Sequence, residues 1–200
     1  MRTSIMPLDD ILIIEDFISE EYQNLIENVV FGDDIDYKFI QDVGHVNSKK
    51  NKNFGFCHLF RDETVNFKRT PVDYFFAPMI RDGMKKIGME VSFLKRGRIF
   101  LTTPSSNFKQ DVYHIDIPTY HIAFIYYVNT CDGGTTLTNN FLPPEEELMY
   151  PTKYYDANEM DVYKQVESKK GRAVVFNGLR YHSSYRPTSG IRAVVNFNLI

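Results

Sequence analysis

At 200 residues, with 43% hydrophobic and 24% charged positions, the chain is long enough to bury a sizeable core and has the balance of a soluble globular protein. A formal net charge of −3, with only short and scattered basic clusters at 48–53, 95–98 and 169–170, excludes a phosphate-backbone footprint, so nucleic acid is not an expected partner. Two cysteines, Cys57 and Cys131, form neither a CxxC pair nor a disulfide framework, and the expected home is a reducing cytoplasm.

The opening segment "MRTSIMPLDDILIIEDF" carries one basic residue and a short apolar run broken by acids. It reads as neither a signal peptide nor a membrane span. Within it, residues 11–17 read as a strand. The spacing of Tyr22, Leu25, Ile26, Val29 and Val30 predicts an amphipathic helix over 19–32, with Ser19 as N-cap and Gly32 as stop. "FGFCHLF" (54–60) reads as a strand, and a second helix is expected over 78–88, with Pro78 in its first turn and Gly88 past its end.

After residue 90 the pattern changes to short strand-like runs at 98–102, 112–116, 121–128, 135–138, 172–176 and 192–200, separated by Gly, Pro, Asn and Asp. Such runs without intervening helices predict an antiparallel sandwich or barrel. The expectation is one domain over 1–200, mainly β, in which a helix-rich support region (1–90) braces a jelly-roll core (91–200). The long interruption at 139–170, with "PPEEE" and four tyrosines, reads as a lid.

Chemistry concentrates in "DVYHIDIPTYH" (111–121). His114 and Asp116 are two residues apart, so on a strand both side chains leave the same face. His182, in "FNGLRYHSSYRPTSGIR", is the best-placed third partner. Two imidazoles and one carboxylate can bind one face of an octahedral Fe(II) and leave three positions open. A turn aspartate beside a hydrogen-bonded histidine remains the plainer reading of those residues alone. Arg192, ten residues beyond His182 at the start of the last strand, adds a guanidinium suited to gripping a carboxylate through two parallel hydrogen bonds.

Through "YHID", "IYYVNTCDGG", "GRAVVFNGLRYH" and "IRAVVNF", residues 90–200 resemble the 2-oxoglutarate- and Fe(II)-dependent oxygenases, in their prolyl-hydroxylase-like branch. The resemblance implies a double-stranded β-helix (jelly roll, cupin-like), with His114, Asp116 and His182 as iron ligands. It implies Arg192 and Tyr127 as the residues that hold the distal carboxylate of 2-oxoglutarate. It also implies a dioxygenase that couples hydroxylation of a peptidyl residue or small metabolite to oxidative decarboxylation of 2-oxoglutarate, with O2 consumed and succinate and CO2 formed. Alternation puts Tyr127, Ile125, Ala123 and His121 on one strand face, so His121 is a competing ligand or a strand-end residue. Asn198 stands where the nucleic-acid demethylase branch carries a further arginine, which counts against that branch. Two alternatives stay open: a cupin-type metal enzyme without 2-oxoglutarate, a class that usually wants another histidine or glutamate near the first motif, and a non-catalytic jelly-roll binding module.

Overall fold

The structure, a computed structural model, describes residues 10–41, 54–64, 68–91, 93–106, 110–143, 155 and 159–200. Its architecture is mainly β, and the jelly roll expected from the sequence is present. The larger sheet is antiparallel and runs β1 (Leu12–Ile14), β9 (Ala173–Asn177), β6 (Ile122–Tyr127), β11 (Arg192–Leu199), β5 (Leu94–Thr102), β3 (Gly55–Asp62) and β2 (Lys38–Ile40), with the short β4 (Lys68–Arg69) also on β3. The smaller sheet is β10 (Arg180–Tyr185), β7 (Gly134–Phe141) and β8 (Val162–Glu167). Bridges from Gln110 to Tyr185 and from His114 to His182 lay residues 110–114 along β10.

The central strand β6 shows why the sequence folds this way. All six of its residues are buried, so it reads as an unbroken apolar run, as a strand covered on both faces must. Ala123, Ile125 and Tyr127 face the space between the sheets, where Leu137, Val166, Val174 and Val194 meet them. Phe124 and Tyr126 face the other way, into the core under the helices. There Phe197 of β11 stacks on Phe124 with ring centroids 5.1 Å apart and meets Phe60 and Phe76, each at 5.9 Å.

Helix α1 (Glu20–Phe31) has the expected cap, with Ser19 Oγ accepting from Tyr22 N at 3.4 Å. Its buried stripe is rotated from the predicted one. Ile26 and Val30 are inside, Leu25 is 50% exposed, and Gln23 is buried. The amide of Gln23 donates to Ile18 O at 3.0 Å, which satisfies a polar group on the inner face.

The second helix starts earlier than its proline suggested. Helix α2 (Val72–Pro78) follows Pro71, and Pro78 lies inside it. The chain continues through a π turn (Met79–Gly83) and one last α turn (Met84–Lys86). A proline cannot donate to the carbonyl four residues back, and a wider turn absorbs that loss without ending the helix. At Gly83 a Cβ would lie 2.2 Å from the Phe17 ring, so the helix sits closer to β1's exit than any larger residue allows.

Other expectations change too. The first ninety residues supply strands β1 to β4 as well as helices, and β2 and β3 form one end of the large sheet. The segment 139–170 is not one loop: 139–141 end β7 and 162–167 are β8. Residues 144–154 and 156–158 lie outside the described residues. The run 112–116 is held by isolated bridges at Tyr113 and His114 and is not a regular strand.

The aromatic stack ties helix, β3, β6 and β11 together. Phe197→Ala is therefore expected to cost about 3–5 kcal/mol of unfolding free energy, read as a lower urea midpoint with an unchanged slope.

Candidate metal centre and its cavity

The bridge between His114 and His182 brings two imidazoles together across the smaller sheet, with ring centroids 4.7 Å apart. His114 Nδ1 lies 3.3 Å from Val112 O, and His182 Nδ1 lies 3.1 Å from Arg180 O. A carbonyl only accepts, so both Nδ1 atoms carry the proton and both Nε2 atoms are left as electron-pair donors. Those Nε2 atoms face Asp116, at 3.9 Å from Oδ1 and 3.8 Å from Oδ2 respectively. The donor atoms of His114, Asp116 and His182 all lie within 4.8 Å of one another. Octahedral bonds of about 2.1 Å need neighbouring donors about 3 Å apart, so the set closes on a cation with small side-chain shifts. Two neutral nitrogens and one carboxylate, each tethered from behind, fit a non-haem iron ion.

Protonation states favour the same use. Burial, with His182 adding to it, holds the His114 imidazole down to about 4, and burial also lowers that of His182. Burial alone would raise the Asp116 carboxyl. The Arg98 and Arg96 guanidiniums outweigh it and hold the group well below the usual carboxylate range. Both arginines come from β5 and reach Oδ1, Arg98 in a short contact and Arg96 at 3.4 Å. On the other oxygen, Asn196 and Asn198 of β11 donate to Oδ2 at 3.1 and 2.9 Å. The sequence alone assigns none of these four a place at the metal: Arg96 and Arg98 fall in a basic cluster, and Asn198 only counts against the demethylase branch. The signal was there in the period-two spacing of Arg96 with Arg98 and of Asn196 with Asn198, one pair on each of two neighbouring strands.

The triad opens into a cavity of about 440 Å³ between the sheets, bounded at one end by Arg192 and Thr135. Arg192 is only 3% exposed. Its Nη2 donates to Thr135 Oγ1 at 3.0 Å, its Nε has no partner, and no carboxylate pairs with it among the described residues. Tyr127 is fully buried and does not line the cavity wall. Its hydroxyl donates to the same Thr135 Oγ1 at 2.8 Å, and the Arg192 guanidinium lies 5.5 Å above its ring. Burial raises the Tyr127 pKa, so the phenol stays protonated. Thr135, which the sequence reading passed over, is thus the side chain through which Tyr127 reaches the cavity.

His121 lies outside the triad. It is completely buried, with Nδ1 2.8 Å from Thr119 O. Its ring fills the place where a Cβ on Gly178 would sit, 2.1 Å from Nε2, so the pair packs only because residue 178 is glycine. Burial holds this imidazole down to about 4 as well.

A pH dependence follows from these histidines. Their folded pKa values lie below the unfolded value near 6.5, so between about 6.5 and 4 the unfolded chain binds more protons. Stability is complete above that window and is lost as pH falls through it, by up to about 1.4 kcal/mol per pH unit for a fully buried imidazole. Urea unfolding at pH 4.5 to 7.5 should show this limb, and His121→Gln should flatten it.

No family model matches the sequence, and no curated protein matches it either. Solved structures do. An oxidoreductase of the 2OG-Fe(II) oxygenase family from Burkholderia pseudomallei aligns over 94% of this chain and 84% of its own, with 9% identity and a TM-score of 0.62. A prolyl hydroxylase from Trichoplax adhaerens, solved with a hypoxia inducible factor oxygen degradation domain peptide, aligns over 95% and 83%, with 12% identity and a TM-score of 0.58. A non-haem α-ketoglutarate-dependent epimerase from nogalamycin biosynthesis aligns over 95% and 78%, with 8% identity and a TM-score of 0.59. At these identities the likeness establishes the fold: this chain has the jelly-roll architecture of the 2-oxoglutarate/Fe(II) oxygenases.

Proposed function

We propose that the protein is an Fe(II)- and 2-oxoglutarate-dependent dioxygenase, a hydroxylase of a small metabolite or of a peptidyl residue of prolyl type. Arg192 carries the reading. A guanidinium buried at a cavity end, with a neutral threonine as its partner and no acid beside it among the described residues, is a cation waiting for an anion. A dicarboxylate anchored there by one carboxylate would extend its other end toward the triad. The fold of the neighbours and the donor set of His114, Asp116 and His182 support the same assignment.

In this reading His114 and His182 would hold iron through Nε2 and Asp116 through one carboxylate oxygen. Bound iron supplies dioxygen activation coupled to oxidative decarboxylation of 2-oxoglutarate. The chain's own residues bind and orient. Val112 O and Arg180 O fix the imidazole tautomers, and Asn196 and Asn198 fix the plane of the carboxylate. Thr135 and Tyr127 hold the Arg192 fork against the end of the cavity. No residue need act as a general base. The position of His121, outside the triad and against Gly178, removes the extra ligand that a cupin-type enzyme without 2-oxoglutarate would want.

Anaerobic addition of Fe(II) and then 2-oxoglutarate should produce a visible metal-to-ligand charge-transfer band. Asp116→Ala should abolish it with the protein still folded by thermal melt. Arg192→Ala should weaken 2-oxoglutarate, titrated on that band, by a hundredfold or more, and Arg192→Lys should fall between, since it keeps the charge and loses the fork. Tyr127→Phe acts through Thr135 and should cost about tenfold at most. Equal 2-oxoglutarate affinity in wild type and folded Arg192→Ala would overturn the cosubstrate assignment.

A further inference from the structure

The cavity has a second cationic end that the cosubstrate does not account for. On β5, Arg98 sits opposite Asn196 of β11, while Thr102 sits opposite Arg192. Arg98 and Arg192 are therefore four residues apart in register on one sheet face, about 13 Å of strand, with the triad at the Arg98 end. Beyond Arg98 the large sheet continues into β3 and β2, whose Cys57, Leu59 and Ile40 form an apolar shelf in the same cavity.

Charge at this end does not balance once Asp116 serves a cation. Arg98 leans on Oδ1 of Asp116, whose Oδ2 is already taken by two amides, whereas Arg96 reaches Oδ1 at 3.4 Å and also donates to Asp116 O and Asn198 Oδ1. A divalent ion sharing that carboxylate leaves one negative charge between the ion and the Arg98 guanidinium. Of the other acids on the cavity wall, Asp111 is paired away from Arg98 and Asp62 sits opposite Arg96 in the β3–β5 register. Asp111 pairs with Arg186 Nε at 3.2 Å and accepts from Ser184 Oγ at 2.5 Å, and Asp62 Oδ1 accepts from Thr64 N at 2.8 Å. Arg98 is also set to receive a ligand. Its guanidinium lies 5.0 Å above the Phe100 ring, which fixes its plane, and its Nε is buried with no partner.

We propose that Arg98, assisted by Arg96, binds a carboxylate of the primary substrate, whose apolar body lies on the Cys57–Leu59 shelf. This names the substrate class for the function proposed above and rests on it. It favours a small carboxylic acid, such as a free amino acid, over an interior residue of a peptide, whose backbone carries no carboxylate. A bidentate guanidinium–carboxylate pair discriminates strongly against the neutral amide of the same shape, because the amide leaves the cation unmatched.

The test uses the protein loaded with Mn(II) and 2-oxoglutarate, which binds substrate without turnover. The probes are the free L-amino acids, each beside its C-terminal amide, with affinity read by calorimetry and by thermal shift. At least one acid should bind tenfold or more tighter than its amide. That acid-to-amide ratio, taken within each protein, should fall toward one in Arg98→Gln and stay intermediate in Arg98→Lys. Because the ratio is internal, altered metal affinity in a variant does not disturb it, and Arg98→Lys serves if Arg98→Gln does not fold. Acids and amides binding alike, no acid binding at all, or full discrimination in a folded Arg98→Gln would each overturn the proposal. So would a loss of 2-oxoglutarate affinity in Arg98→Gln larger than the loss of discrimination, which would assign Arg98 to the cosubstrate. The Fe(II)/2-oxoglutarate charge-transfer band, recorded on the same preparations, shows separately whether the underlying function stands.

Discussion

One buried carboxylate joins the two sheets at the site. Asp116 is held from the large sheet by Arg96, Arg98, Asn196 and Asn198, and it faces the two imidazoles presented by the smaller one. A carboxylate out of water costs several kcal/mol unless every lone pair is matched, and here four donors converge on two oxygens. The charge could not be buried without them, and without the charge two arginines would be stranded in a half-dry cavity. The strands that carry those donors must therefore keep their register. A slip of one residue in β11 or β5 would turn the asparagines or the arginines away from the cavity and bring apolar neighbours in.

Much of this was legible in the sequence for a simple reason. Alternation is a strong signal wherever one strand face is buried against chemistry and the other against core, so Tyr127, Ile125 and Ala123 could be placed on a common face from spacing alone, while His114 and Asp116 bring their donor atoms together although 112–116 is not a regular strand. The helix around Ser19 was legible through its cap. What failed was local pattern overruled by tertiary contact. Pro78 looked like a helix start because proline fits a first turn, yet a π turn lets the helix run through it. Leu25 fell in the apolar stripe but lies outside, while Gln23 lies inside because Ile18 O is there to accept from it. Strand β8 was hidden because its residues are mostly exposed, leaving Val166 as its one buried apolar signal.

The roles that sequence reading missed in the site share a different cause. Those of Thr135, Asn196 and Asn198 exist only through contacts spanning 57, 80 and 82 positions of chain. Such partners become visible only when strands are paired in register. His121 shows the converse, a residue whose type and face invited a ligand role. Its Nδ1 is tied to a carbonyl two residues back, and its ring is packed on a glycine, away from the triad. Type and face do not make a ligand; the direction of Nε2 does.

The three arginines around the cavity divide its electrostatics into two ends, Arg192 at one and Arg98 with Arg96, beside the triad, at the other. At the Arg192 end the cation rests on neutral hydroxyls, so an incoming anion meets no competing acid and keeps its full attraction in a low-dielectric pocket. At the Arg98 end the cation already leans on Asp116, and the carboxylate is asked to serve both the guanidiniums and any ion between the imidazoles. Those two uses compete for the same oxygen. Each charge brought in at one position thus changes the demand for charge at the other, and the order of filling follows. An ion shared with Asp116 weakens its grip on Arg98 and Arg96, and the site beside them then favours an anion more strongly than before.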